Sequence, residues 1–248
     1  MQTPKYQHCN IAPFQLSAEA GTLDIFKFLI AHSSCNPHHI DSHGRNALHY
    51  AAQNNHLEVV RHQVEHHNCG RELIMLEDKT GVTPFQLSAE NGNINIVKFF
   101  ASHPSCNVHH KSSNGRTALF GASQNGHMEV VEYLVNGCKC EVAIRDTAHS
   151  VTPFHLAASN GHSQLVRYFA SCDPSLVDVK DKHQRTAFHY ACQEGHQDTV
   201  KVLAEELRCK TDTRDKNGDT PCQVARIKGH SEIVKYLSGN GADSMVYS

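Results

Sequence analysis

Histidine and cysteine are the residues here whose chemistry could reach beyond packing: the 248 residues include 21 histidines and 10 cysteines. The string Cys35-Asn36-Pro37-His38-His39 recurs as Cys106-Asn107-Val108-His109-His110, with His43 close behind the first copy. Thiolate and imidazole at such spacing can ligate zinc. A further string, His62-Gln63-Val64-Glu65-His66, has the H-x-x-E-H pattern of one metallopeptidase class. That chemistry needs two imidazoles on one helical face, a third protein ligand and a cleft. Histidine also titrates near neutrality, so a metal- or pH-responsive module is one function class to weigh. No glycine-rich phosphate loop follows a strand, and there is no G-x-S-x-G elbow. The scattered Ser, His and Asp residues fix no catalytic triad. Basic residues do not alternate with aromatics as a single-strand nucleic-acid binder needs.

The elements that would position these groups announce themselves by repetition. Thr83-Pro84-Phe85-Gln86-Leu87-Ser88-Ala89-Glu90-Asn91-Gly92 returns as Thr152-Pro153-Phe154-His155-Leu156-Ala157-Ala158-Ser159-Asn160-Gly161. Taking Pro or its Ala substitute as anchor, copies begin at Pro13, Ala47, Pro84, Ala118, Pro153, Ala187 and Pro221, in steps of 34, 37, 34, 35, 34 and 34 residues. So steady a period means stacked modules, not one globular core around a buried active site. Odd copies carry Pro and even copies Ala, and Pro13–Glu19 recurs letter for letter at Pro84–Glu90. Two-module duplication accounts for this. It also accounts for the two Cys/His strings, which lie 71 residues apart. No metal is needed to explain the pair, and no metal site or cofactor is expected.

Composition narrows the partners. Formal net charge is -2, with 23 basic and 25 acidic residues, so no strong field for nucleic acid or an anionic membrane is expected. The opening Met1-Gln2-Thr3-Pro4-Lys5-Tyr6 has no signal-peptide core, and no run approaches a membrane span. A cytoplasmic or nuclear location without membrane insertion is expected. Cys35, Cys69, Cys106, Cys140 and Cys209 each stand 22 residues after an anchor. Modules of this kind stack about 10 Å apart, whereas bridged Cα atoms lie within about 7 Å. These thiols therefore read as small buried hydrophobes, not as a disulfide ladder.

Within a module, Thr83, Thr117, Thr152, Thr186 and Thr220 stand just before the anchor as N-caps, with Asn46 in the second copy and a poor Ala12 in the first. Pro at the next position loses no helical hydrogen bond. Gly92, Gly126, Gly161, Gly195 and Gly229 end the first helix. A second helix follows, with an apolar stripe such as Val131, Leu134 and Val135, or Phe26, Leu29 and Ile30. Gln63 breaks that stripe, which predicts looser packing in the second copy. Asp78-Lys79-Thr80-Gly81, Asp181-Lys182-His183-Gln184 and Asp215-Lys216-Asn217-Gly218 read as tight turns between modules.

Strand, turn, helix, helix, with the Thr-Pro-x-His start and the Gly-His elbow, resembles the ankyrin repeat over nearly the whole chain. The resemblance implies an all-α repeat solenoid of about seven helix-turn-helix modules with β-hairpin-like loops, forming one domain over 1–248. The modules run approximately 1–40, 41–77, 78–111, 112–146, 147–180, 181–214 and 215–248. It implies structural roles for His49, His155 and His189, which tie neighbouring loops, and for the elbow residues His56, His127, His162, His196 and His230. Gln15, Gln86, Phe120 and Gln223 replace the loop-tying His, and Phe120 puts local rigidity in doubt. Arg226 stands where the family has a small Ala, which fits an outer face meeting water. The first module lacks a recognisable turn before Pro13, as though the sequence began inside a longer array or carried an irregular cap. His62, Glu65 and His66 fall on the outward side of a second helix, where the architecture has no cleft. His38 and His39 fall on the strand before a turn, on alternate faces.

The family grips other proteins on the concave side formed by turn tips and first helices. Carried onto this sequence, that surface comprises His43, Arg45, Lys79, Thr80, Asn114, Arg116, His149, Lys182, His183 and Arg185 on the turns. On the first helices it comprises Gln53, Asn54, Glu90, Asn91, Gln124, Asn125, Asn160, Gln193 and Glu194. No catalytic residue is expected. The expected function is a non-enzymatic protein-interaction scaffold, monomeric or part of a larger chain. Arg45, Arg116 and Arg185 would face an acidic, extended or helical segment of the partner. A recruiting or linking segment of a larger signalling protein or enzyme is the alternative, and a His/Cys metal- or pH-responsive module ranks behind both.

Overall fold

The computed structural model describes residues 10–32, 35–66 and 70–239. In chain order the helices are α1 (Pro13–Glu19), α2 (Leu23–Ile30), α3 (Ala47–Gln53), α4 (Leu57–His66), α5 (Gly70–Ile74), α6 (Pro84–Glu90) and α7 (Ile94–Ser102). Then come α8 (Ala118–Gln124), α9 (Met128–Glu132), α10 (Pro153–Ser159), α11 (Ser163–Cys172), α12 (Ala187–Glu194), α13 (Gln197–Lys201), α14 (Pro221–Lys228) and α15 (Ser231–Gly239). Wide π-type turns at Tyr133–Gly137 and Val202–Glu206 continue α9 and α13. The seven first helices start on the seven anchors. The one 37-residue step accommodates the extra helix α5, whose Leu73 carbonyl accepts a hydrogen bond from Asn46 Nδ2 at 3.0 Å.

Two compact units make up the chain: Met1–Ala122 with Glu129–Cys140, and Ser123–Met128 with Glu141–Ser248. In the first unit α1 packs on α3 and α3 on α6; in the second α10 packs on α12 and α12 on α14. Each unit buries rings and aliphatics from successive modules, Phe26, Phe85 and Phe100 in one and Phe154, Phe169 and Phe188 in the other.

Local chemistry explains the helix starts. Thr83 Oγ1 accepts the Gln86 amide at 3.4 Å while Gln86 Oε1 accepts the Thr83 amide at 3.0 Å, a reciprocal cap. Ala12 has no cap oxygen, yet Gln15 Oε1 accepts its amide at 2.8 Å, which holds the start of α1. At the other end Gly161 adopts φ +77°, which favours glycine for a second reason too: a Cβ there would lie 2.7 Å from His196 Nδ1 of the next module. The second copy uses Asn55 at φ 63° for the same turn.

The strand expected before each turn is absent among the described residues. The Asp side chain closes the tip instead: Asp41 Oδ1 accepts the amides of His43 and Arg45, both at 2.8 Å, and Asp181 Oδ1 those of His183 and Arg185 at 2.7 and 2.8 Å. Neighbouring tips exchange single backbone bonds rather than a ladder. Lys79 N reaches His43 O at 2.8 Å, Ser113 N reaches Thr80 O at 3.1 Å, and Lys182 N reaches His149 O at 2.8 Å.

The loop-tying histidines act as the resemblance implies. His49 Nε2 donates to Val82 O at 3.1 Å and His189 Nε2 to Asp219 O at 3.3 Å. Glutamine does the same work: Gln86 Nε2 donates to Arg116 O at 2.8 Å, and Gln15 Nε2 to Arg45 O at 2.9 Å. Phe120 offers no polar atom there; its ring is buried, with the Arg116 guanidinium 5.7 Å from its centroid. Elbow imidazoles bridge backward, His56 Nε2 to Glu19 O and His196 Nε2 to Ser159 O, both at 2.9 Å. Asn93 fills that place in the third copy and donates to Ala52 O at 2.7 Å. Gln63, where looser packing was expected, is fully buried, and both ends of its amide lack a hydrogen-bond partner.

Candidate functional site

The turn tips and the C-terminal ends of the first helices carry the side chains singled out from sequence. His43, Asn54, Lys79, Thr80, Glu90, Asn91 and Asn114 are exposed in the first unit. In the second, Gln124, Asn125, His149, Asn160, Lys182, His183 and Glu194 are exposed. Arg45, Gln53, Arg116, Arg185 and Gln193 are half-buried.

Arg45 and Arg185 are tied down in the same way. Arg45 Nε lies 3.3 Å from Asp78 Oδ2 and its Nη1 donates to Gln53 Oε1 at 3.1 Å. Arg185 repeats the arrangement with Asp215 Oδ2 at 3.3 Å and Gln193 Oε1 at 2.9 Å. Each guanidinium therefore joins its own tip to the carboxylate organising the next one. Their charge is already compensated, and Gln53 and Gln193 are their partners. Burial alone would raise the Asp78 carboxyl, but the Thr80 hydroxyl, the amides of Thr80 and Val82 and the Arg45 charge outweigh it and hold it below the usual carboxylate range. Asp215 is held low in the same way.

Two exposed cations that sequence reasoning missed stand beside these tips, Arg145 and Arg214. Each immediately precedes the Asp that closes a turn, as Lys180 does. That recurrence in the last three copies was the available signal.

A family model describing three copies of the ankyrin repeat matches residues 2–72, 62–146, 138–215 and 154–247. The chain belongs to the ankyrin-repeat family. Ankyrin repeats are in general protein-interaction modules and not enzymes. Among relatives, the human transient receptor potential cation channel subfamily A member 1 is 29% identical over 129 residues, 51% of this chain and 11% of that protein. Mouse serine/threonine-protein kinase TNNI3K is 30% identical over 46% of this chain and 14% of its own length. Mouse rabankyrin-5 is 26% identical over 62% of this chain and 13% of its own. This chain thus matches only a small part of each of these larger proteins.

The histidine and cysteine strings of this ankyrin chain do not converge. Asn36 and its counterpart Asn107 each fold their string into a turn, accepting the His38 amide at 3.0 Å and the His109 amide at 3.1 Å; these residues are not on a strand. The second imidazole of each pair faces the protein: His39 Nε2 donates to Asn10 O at 2.8 Å and His110 Nε2 to Gly81 O at 3.0 Å. His38 and His109 are exposed. Burial pushes the Cys106 thiol up to about 12, which disfavours a thiolate ligand. Cys140 and Cys209 are buried, whereas Cys35 and Cys106 are only half-buried; Cys69 lies outside the described residues. Among the described residues no three His, Cys, Asp or Glu groups are placed to share a metal ion.

The H-x-x-E-H string is also spread apart. His62 is half-buried, edge-on to the Phe26 ring at 6.2 Å between centroids, because Phe26 of the preceding module covers it. That corrects the outward placement expected for His62. Glu65 pairs with Arg61 at 3.2 Å, and the side chain of His66 lies outside the described residues. No helix among the described residues is long and apolar enough to cross a membrane.

Proposed function

We propose that this ankyrin chain is a non-enzymatic scaffold that holds a partner protein on its turn tips and the adjoining ends of its first helices. The observation carrying this reading is the division of labour at the tips. Buried Asp carboxylates and backbone amides satisfy one another, while His43, Lys79, His149, Lys182 and His183 stand exposed on that fixed frame. Side chains ordered before docking lose little entropy on binding. An interface of about 800 Å² per partner falls within reach of a few such modules.

The test uses a partner isolated with the intact chain, then purified and titrated calorimetrically. Asn54, Asn91, Asn160, His149 and His183 changed together to Ala should weaken binding at least about tenfold. Glu58→Lys with Gln164→Lys, on exposed second-helix positions, should leave it unchanged. The reverse pattern refutes the reading.

A second reading, a recruiting or linking segment of a larger signalling protein or enzyme, is supported by the channel and kinase relatives, of which this chain matches 11% and 14%. Sequencing of the full-length transcript tests it: a reading frame coding for no further domain would remove it.

A further inference from the structure

We infer that the three tips of the second unit form a cationic rim that reads an acidic, extended segment of the partner protein. This rests on the scaffold reading above and assigns that reading a chemistry. The chain as a whole is formally -2, but at these three tips the charges sort by depth. Segments 144–151, 180–185 and 214–219 hold six Lys or Arg against four Asp. Three of those carboxylates are buried: Asp146 and Asp181 are 3% exposed and Asp215 is 7% exposed. The fourth, Asp219, is half-buried, and its amide donates to Asp215 at 3.1 Å.

Backbone amides occupy the buried acids. Asp146 accepts from His149 and Val151 at 2.9 and 3.2 Å, and Asp215 from Asn217 at 2.8 Å. The exposed cations are held instead by neutral carbonyls. Arg145 Nη1 donates to Lys180 O at 2.7 Å, Lys182 Nζ to Thr147 O and Ala148 O at 2.6 and 2.9 Å, and Arg214 Nη1 to Gly218 O at 2.7 Å. A carbonyl orients a cation without neutralising it. Lys216 is exposed on the third tip. Arg145, Lys182 and Arg214 are therefore positioned, and neither they nor Lys216 form an ion pair among the described residues, unlike Arg185, which is paired with Asp215.

Geometry makes them a row. Lys182 N bonds His149 O at 2.8 Å and Lys216 N bonds His183 O at 2.9 Å, so each tip is fastened to the next. The His149 and His183 rings lie 6.1 Å apart between centroids, lining the row. A row of cations with exposed Gln184 and Asn217 beside them suits a peptide, with carboxylates for the cations and backbone amides for the polar side chains. The three segments contain no Phe, Tyr or Trp on which bases could stack.

The experiment titrates the full chain into a fluorescent Glu-rich peptide of about twelve residues and follows anisotropy, because four clustered cations should retain such a probe. A Gln-rich peptide, single-stranded DNA of similar length and phosphatidylserine vesicles are run in parallel. Expected is binding of the Glu-rich peptide alone, weakening with salt, and a loss of about tenfold or more in K182E/K216E. K182Q/K216Q, matched to the native protein in melting temperature, should show an intermediate loss. That separates lost charge from a loosened tip. No binding of the acidic peptide, equal binding by the charge-reversed chain, or tighter binding of DNA or vesicles overturns the inference. A purified partner that is lost with the five-residue alanine variant but indifferent to K182E/K216E sinks this inference and leaves the scaffold standing. A partner lost only with Glu58→Lys and Gln164→Lys sinks the scaffold reading itself.

Discussion

His155 Nε2 lies 3.3 Å from the carbonyl oxygen of Arg185, while its Nδ1 lies 2.8 Å from Thr152 Oγ1. One ring thereby ties the cap of α10 to the tip of the next module. The carbonyl can only accept, so Nε2 carries the proton and Nδ1 accepts. Burial pushes His155, like His49, down to about 4, so the folded chain keeps the ring neutral. The unfolded chain protonates it near about 6.5. Between those values the unfolded state binds more protons, so this stability is full above pH about 6.5 and is lost as pH falls toward about 4.

Replacing His155 with Gln tests this directly, since Gln86 makes the equivalent pair of bonds. Urea melts across pH 4.5 to 7.5 should show nearly unchanged stability at the upper end. The slope at the lower end should fall by about 1.4 kcal/mol per pH unit, one proton's worth. An undiminished slope would show that the ring is not the group responsible.

Gln63 occupies the place held by Phe100, Leu134, Phe169 and Leu203 in other modules, all fully buried. Its amide is desolvated with no partner in return. Gln63→Leu should therefore raise stability by about 1–3 kcal/mol, read as a higher denaturant midpoint with an unchanged m-value. A destabilised variant would mean that the site cannot accept leucine's shape.

Gly161 and Gly229 separate two costs that usually travel together. Both have positive φ, +77° and +82°, but a Cβ at Gly161 meets His196 whereas one at Gly229 meets nothing within 4 Å. Gly229→Ala should cost about 1 kcal/mol from backbone conformation alone. Gly161→Ala should cost clearly more, and His196→Ala in that background should recover part of the excess. Equal melting temperatures for the two glycine variants would contradict the ring contact.

Thiol reactivity should follow burial. Cys172 is exposed, while Cys192, Cys209 and Cys222 are buried, and burial pushes the Cys209 thiol up to about 12. Mass mapping after brief treatment with a disulfide reagent at neutral pH should find Cys172 modified well before those three. Early labelling of Cys209 would argue for an opening of its module.

Much of the fold was legible because the signals are local. A Thr cap, a Pro or Ala anchor and a Gly stop lie within ten residues of one another in five copies, and all seven first helices start on the anchors. The turn Asp residues were legible too. The anticipated strand does not form among the described residues: neighbouring tips are joined by single backbone bonds, at the Ser112 tip as at those closed by Asp.

The candidate surface was half legible. Exposure of His149, Lys182 and His183 follows from their place in the turn. The fate of Arg45 does not, because its partner Asp78 comes 33 residues later and meets it only when modules stack. Period and residue type therefore determined the family, the helices and the tips from sequence alone. Which cations are spent on neighbouring carboxylates and which face solvent was decided only in the tertiary structure, since charge compensation depends on distances between groups that the chain order keeps far apart.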